Sequence, residues 1–241
     1  MTRECSRLGA ESATPDETRG ARHTSHFLVL GGSGRTGGHI IDYALSKGHT
    51  VTALVRDPAK LVSRVGLTVV QGTPANRGDV DRAIDGADAV IVALNSTRRS
   101  DTPWAKPVSP PRLMADSVAN ATGAMTARGI RRIVVLSAFG VGDSLSSASL
   151  PLRLMFTRTN LKYTYADHNL VDAEIRDTDT DWTLLRPAAL NNKATVEKVA
   201  VTDVHGPKPS FYISRAAVAH FAVDVIDSGA HKRGAPIISQ N

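Results

Sequence analysis

Cysteine is almost missing: Cys5 is the only one in 241 residues. A single thiol cannot close a disulfide within the chain or build a cysteine-ligated metal cluster, which fits a reducing, cytoplasmic setting. Aromatic residues are also scarce, at 5%, and the basic residues are scattered, densest at "TRR" 97–99 and "IRR" 130–132. A net charge of +6 without a clustered basic and aromatic surface argues against nucleic acid and suits a phosphorylated small molecule better. No apolar run approaches the roughly 20 residues of a membrane span, so no membrane partner is expected. His39, His49, His205, His220 and His231 fall at no metal-ligand spacing, and no metal site is expected.

What is present is an ordinary globular composition, 41% hydrophobic and 22% charged, long enough for one α/β domain. Residues 1–24 carry no apolar periodicity and are rich in Ser, Thr, Glu, Arg and Gly, so they are expected to be a disordered tail. They lack the apolar centre of a secretory signal, and Glu4, Glu11, Asp16 and Glu17 break up the basic residues a transit peptide would need. The folded domain is expected over 25–241. The sequence leaves its oligomeric state open.

From His26 short apolar runs alternate with amphipathic ones. "FLVLG", "TVTALVR", "LTVVQG", "ADAVIVAL", "IRRIVVLSAFG" and "DWTLLRPAAL" read as strands. "RTGGHIIDYALSKG", "PAKLVSRVG", "DVDRAIDG", "LMADSVANATGAMTARG" and "ADHNLVDAEIRDTD" read as helices between them. A strand, a Pro-rich turn and a long helix follow, and "APIISQ" closes as a strand. Continuous apolar strands separated by helices imply a doubly wound parallel sheet with helices on both faces. Ligands of such a sheet sit at the carboxyl ends of its strands.

Between the first strand and first helix lies "GGSGRTGG", Gly31 to Gly38. Gly32, Gly34 and Gly37 fit G-x-G-x-x-G; Gly31, Gly34 and Gly37 fit G-x-x-G-x-x-G. Either way the context is that of a dinucleotide-binding loop: glycines let backbone approach a pyrophosphate at a helix N-terminus. A Walker A loop is excluded, because Gly38-His39 stands where Lys-Ser/Thr would be. At the end of the second strand an acid would bind the ribose hydroxyls of NAD. Arg56 stands there instead, with Lys60 a helical turn later. Two cations favour a 2′-phosphate, and so NADP(H), unless Arg56 is consumed by its neighbour Asp57.

"LVLGGSGRTGGHI", "VTALVRDPAKL", "DGADAVIVAL", "VLSAFG" and "ISRAAVAHF" together resemble the NmrA-like atypical short-chain dehydrogenase/reductases. In type the likeness is nearest to biliverdin-IXβ/flavin reductase, and it runs from about His26 to the C-terminus. The resemblance implies a Rossmann-type domain, NADPH as cofactor, and a small-molecule substrate over the nicotinamide, covered by a small C-terminal part. It assigns Gly31, Ser33, Gly34, Arg35, Thr36 and Gly37 to the pyrophosphate loop and Arg56 and Lys60 to the 2′-phosphate. It places Leu94 and Asn95 along the cofactor, Ser137 beside the nicotinamide, and Pro187 and Ala188, after the sixth strand, on its carboxamide side. Context and resemblance favour the Gly31/Gly34/Gly37 register, with Gly32 and Gly38 as close-packing neighbours. Two departures stand out. Gly72-Thr73-Pro74 replaces an expected Gly-Asp near adenine, and "RPAALNN" lacks the histidine of the flavin reductase type.

Ordinary short-chain dehydrogenases pair Ser with Tyr-x-x-x-Lys, the lysine lowering the tyrosine pKa. Here Tyr163 is followed four residues on by Asp167, and Tyr165 by Asn169, while Lys162 points to another helix face. Ser137, Tyr165 and His168 are the candidate catalytic residues. Both tyrosines also suit plain packing at a helix start, and His168 suits a surface or supporting place. Trp104 could cover a substrate or anchor its loop, and Trp182 reads as core. A nicotinamide, one serine and no activated acid suit hydride transfer to a quinone, flavin, enone or similar conjugated acceptor. The competing expectations are a non-enzymatic NADP(H) sensor, and an isomerase or epimerase on the same fold.

Overall fold

The computed structural model describes residues 24–194, 196 and 198–240. The expected tail, apart from Thr24, lies outside them, as does Cys5.

The strand β1 (His26–Leu30) buries Phe27, Leu28, Val29 and Leu30. Successive side chains of a strand point to opposite faces. Phe27 and Val29 therefore enter one apolar core, and Leu28 and Leu30 another. A sheet buried on both sides needs helices on both sides. The first core is covered by α1 (Arg35–Ser46), through Ile40, Ile41 and Ala44, and by α6 (Arg215–Asp227), through Val218 and Ala222. The second is covered by α2 (Arg77–Ala83), α3 (Leu113–Arg128) and α5 (Leu161–Arg176), through Val80, Met114, Met125 and Val171.

The sheet is completed by β2 (Thr50–Val55), β3 (Leu67–Gln71), β4 (Ala89–Val92), β5 (Arg132–Leu136), β6 (Asp181–Pro187), β8 (Val199–Thr202) and β10 (Ile237–Gln240). Its order is β3-β2-β1-β4-β5-β6-β10-β8, parallel throughout except for β8 against β10. A separate pair, β7 (Ala189–Asn191) with β9 (Tyr212–Ser214), joins the end of β6 to the start of α6. The chain runs outward from β1 to β3, then returns to β4 on the other side. That reversal opens a crevice at the carboxyl ends of β1 and β4. The fold is the expected doubly wound, Rossmann-type α/β sheet.

Three local expectations need correction. "PAKLVSRVG" is not a helix beyond the 3₁₀ turn Pro58–Lys60. Val62 and Val65 stay exposed and Leu61 alone of its large apolar residues packs on a core, too little to hold helical turns in place. A helix that the hydrophobic pattern did not reveal, α4 (Leu150–Arg158), precedes α5. It buries only Phe156, which leaves almost no periodic signal in its sequence. Pro187 ends β6 rather than following it, its carbonyl accepting the N–H of Phe139 at 3.0 Å.

Candidate functional site

The turn after β1 is shaped by what its glycines touch. Gly31 has φ +90°, and a Cβ there would lie 2.6 Å from the carbonyl oxygen of Ala93. The N–H of Gly34 donates to Gly31 O at 2.9 Å. A Cβ on Gly37 would fall 2.1 Å from the same Gly31 oxygen. The turn is thus packed around Gly31, Gly34 and Gly37, and Gly32 is held close by Ile41 and Ala53. Gly38 is not a close-packing neighbour: a Cβ there meets nothing within 4 Å. No side-chain oxygen caps α1 and its first turn holds no acid, so among the described residues no capping side chain takes the N–H groups of that turn.

A cleft of about 820 Å³ opens over this turn, at the large end of ligand sites. Gly31, Ser33, Gly34, Arg35, Thr36, Arg56, Lys60, Leu94, Asn95, Ser137, Pro187, Ala188, Tyr165 and His168 all line it. Gly37, alone among the expected residues, does not; it is buried beneath Gly31. Arg35 is already engaged, its guanidinium forking onto both carboxylate oxygens of Asp101 at 3.1 Å and 3.1 Å. Arg56 and Lys60 are exposed at the end of β2 and make no ion pair among the described residues. Asp57 does not consume Arg56, because its side chain accepts the N–H of Ala59 instead. The departure at Gly72-Thr73-Pro74 has a local explanation: Thr73 N–H donates to Asp79 at 2.9 Å, and Pro74 lines the cleft.

Among the residues that line the cleft, three polar atoms have no hydrogen-bond partner among the described residues: Ser137 Oγ, Thr164 Oγ1 and His168 Nδ1. Their residues are 7%, 7% and 4% exposed, and all line the cleft. Buried polar atoms are normally paired, so three around one cleft mark a place built for something polar. Thr164 and His168 stand one turn apart on α5, on one helix face. Burial lowers the His168 pKa to about 4, opposed by the charge of Asp167. His168 is therefore neutral at pH 7 and buried, which corrects both the surface reading and the reading of a proton donor titrating near neutrality.

Tyr165 faces the same cleft, stacks on Phe156 and donates its hydroxyl to Phe139 O at 3.0 Å. Burial raises its pKa, against the lowering charge of Arg98. It is the reverse of an activated tyrosinate. Tyr163 is exposed and does not line the cleft. The two positions a catalytic lysine would occupy serve the scaffold. Asp167 accepts Met114 N–H and Ala115 N–H at 3.0 Å each, and Asn169 accepts Gly142 N–H at 2.8 Å. Trp104 does not line the cleft; it is 72% exposed, and its carbonyl accepts the side-chain amide of Asn160 at 2.6 Å. Trp182 is core. Sequence reasoning missed Thr164, Arg98, Arg215 and the α4 side chains Met155 and Phe156 as cleft residues. Their only signals were the "TRR" cluster and the "ISRAAVAHF" segment.

The family model described as NAD(P)H-binding matches residues 31–229. The chain belongs to the NAD(P)H-binding family. The glycine cradle, the uncapped α1 and the cations at the end of β2 are the parts such a dinucleotide needs, so the residues present fit the cofactor. The (4-alkanoyl-5-oxo-2,5-dihydrofuran-3-yl)methyl phosphate reductase of Streptomyces griseus is 26% identical over 220 residues, covering 88% of this chain and 67% of that protein. A maize isoflavone reductase homologue is 33% identical over 91 residues, which is 34% of this chain but only 29% of the maize protein. Among solved structures, the anaerobillin reductase ChuY of Escherichia coli superposes with a TM-score of 0.72 at 17% identity, covering 90% of this chain and 97% of that one. A Veillonella parvula short-chain dehydrogenase/reductase in complex with NADP gives 0.71 at 18%, covering 90% and 95%. The resemblance to the NmrA-like atypical short-chain dehydrogenase/reductases is borne out. Among the described residues no helix is long and apolar enough to cross a membrane.

Proposed function

We propose that this chain is an NADPH-dependent reductase that passes hydride to a conjugated or aromatic small molecule. The observation that carries the reading is Ser137, Thr164 and His168, which line the cleft of a dinucleotide-binding fold with buried polar atoms that have no partner among the described residues. The nicotinamide, when bound, supplies the hydride. The chain's own residues bind, orient and exclude water. Gly31, Ser33, Gly34, Thr36 and the backbone of Arg35 hold the pyrophosphate, the Arg35 guanidinium staying on Asp101, with Gly37 packed beneath them, and Leu94, Asn95, Pro187 and Ala188 hold the flanks of the cofactor. Arg56 and Lys60, unpaired, hold the 2′-phosphate and favour NADP over NAD. Ser137 and Thr164 donate to an oxygen of the acceptor, and neutral His168 supports them as a hydrogen-bonding group rather than as an acid.

No cleft side chain is a strong proton donor at pH 7: Tyr165 is committed to Phe139 and its pKa is raised. An unactivated ketone would need such a donor. A quinone, flavin or enone does not, because its reduced anion is delocalised and water protonates it. The test is incubation with NADPH and a panel of quinones, flavins and enones, following loss of the nicotinamide absorbance. Turnover with a conjugated acceptor and none with simple ketones is expected. Tight NADP binding without turnover on any acceptor would replace this reading by a sensor, which the missing lysine also suits. Product change with the cofactor unchanged would replace it by an isomerase.

A further inference from the structure

The cleft's charges are unevenly matched. Arg35, Arg56, Lys60, Arg98 and Arg215 line it, against one carboxylate, Asp101. Asp101 is spent on Arg35, whose fork takes both its oxygens. Arg56 and Lys60 stand at the end of β2, where a dinucleotide's ribose belongs. That leaves Arg98 and Arg215 as guanidinium groups on the cleft wall with no ion-pair partner among the described residues.

Each is held by one uncharged contact that keeps its other donors available. Arg98 Nη1 donates to Thr102 O at 2.7 Å, and its backbone is bridged to Pro107, so the Pro-rich loop fixes it from below. Arg215 is the first residue of α6 and Nη1 donates to Asn192 Oδ1 at 2.5 Å. The charge of Arg98 acts on Tyr165, which follows Thr164 on α5 and lines the same cleft. The charges of both arginines act on Asp101, which places them in one neighbourhood. Burial and the charge of Arg35 disfavour the charged form of Arg215 and the charge of Asp101 favours it, so an added anion would join the one counter-charge nearby. Around them the cleft is apolar, with Met155, Phe156, Leu190 and Phe211.

We infer that the substrate is a conjugated molecule carrying an oxyanion group, a carboxylate or a phosphate, which Arg98 and Arg215 grip while its apolar body lies against Phe156 and Phe211. The inference rests on the reductase reading and adds the chemical class of the substrate to it. Arginine matches either oxyanion by a planar two-point contact.

The test compares a naphthoquinone bearing a carboxyalkyl chain, its phosphoalkyl counterpart and the methyl ester of the first, each with NADPH. A KM for a charged probe about 10-fold or more below that of the ester is expected, rising with salt, since a charge-assisted bond is worth about that factor. The two charged probes tell carboxylate from phosphate recognition. In Arg98→Gln and Arg215→Gln the ratio between charged and neutral probes should fall toward one, while the Kd for NADP holds. Equal KM values for all three probes would overturn the inference, as would an unchanged ratio in both variants. A parallel loss of NADP affinity would overturn it too, by assigning these arginines to the cofactor. If no probe oxidises NADPH, the reductase reading has failed separately. The same ratio is then read as Kd by calorimetry on the NADP-loaded protein, where preference for the charged probes upholds anion recognition and its absence ends it.

Discussion

The carboxylate of Asp167 on α5 lies 3.0 Å from the backbone nitrogen of Ala115, in the first turn of α3. Its second oxygen takes the N–H of Met114 at 3.0 Å and the hydroxyl of Ser96 at 3.2 Å. α3 needs this help, because Arg112 at its N-cap has φ 63° and offers no side-chain cap. Asp167 therefore ties together α5, α3 and the loop that carries Asn95 and Arg98.

Asp167→Ala should cost about 2–4 kcal/mol in a urea unfolding measurement, since it strands two helix-terminal N–H groups in a buried place. Asp167→Lys restores a Tyr-x-x-x-Lys spacing with Tyr163. It should still give no reduction of simple ketones, because Tyr163 does not reach the cleft. Ketone turnover by that variant would show that the missing lysine alone limits the chemistry.

Arg56→Glu should weaken NADP binding about 10- to 100-fold, the worth of one or more charge-assisted bonds, and leave NAD binding nearly unchanged. Lys60→Glu should act the same way but less, because an ammonium lacks the planar fork. Titration calorimetry with both dinucleotides decides it. Equal losses for the two would remove the 2′-phosphate from this end of the cleft.

Ser137→Ala should lower turnover about 10- to 100-fold with little change in NADP affinity, as one hydrogen bond to a reacting oxygen is lost. Thr164→Val should do the same to a smaller degree, and Thr164→Ser should restore it. If Ser137→Ala and Thr164→Val change only the KM for NADPH, both hydroxyls belong to the cofactor.

Much of this site could be read locally. The glycine turn, the strand ends and Arg56 each lie within a few residues of the signal that announces them, because a strand-turn-helix unit is one continuous segment. Thr164 could not be read so. It lies on the buried stripe of α5 with His168 and Val171, but only the packing around it leaves its hydroxyl without a hydrogen-bond partner among the described residues. Asp167 looked like a failed lysine in sequence, yet its partners lie on a helix more than fifty residues away. The same holds for α4, whose single buried side chain gave no stripe to detect. Helix periodicity also overreached at Val62 and Val65, since an apolar pattern makes a helix only where a core stands ready to receive it.

His168 gives a stability signature. Its pKa is about 4 in the fold and 6.5 as the ordinary value. Between those values the unfolded chain binds a proton that the folded one does not, so stability rises with pH from about 4 to 6.5 and is flat above. A buried shift of this size corresponds to about 3 kcal/mol across the window. Urea unfolding of the native chain should show that slope, and His168→Gln should remove most of it. A native chain whose His168-dependent slope is absent would place the imidazole in contact with water.

The two neighbouring glycines of α1 separate packing from propensity most cleanly. Gly37 and Gly38 are adjacent in one helix, so an alanine at either position gains the same backbone entropy, about 1 kcal/mol. They differ in what the added methyl meets. At Gly37 it lands 2.1 Å from the carbonyl oxygen of Gly31, a backbone atom that cannot rotate away. At Gly38 nothing lies within 4 Å. Gly38→Ala should therefore raise the unfolding free energy by about 0.5–1 kcal/mol and leave NADP binding as it is. Gly37→Ala should lower stability by about 1–3 kcal/mol. It should also weaken NADP, because relief of the clash comes only by moving the turn that carries the N–H groups of the anion site. Matched stability changes in the two variants would mean that the turn gives way freely, and that Gly31 and Gly37 do not set its shape.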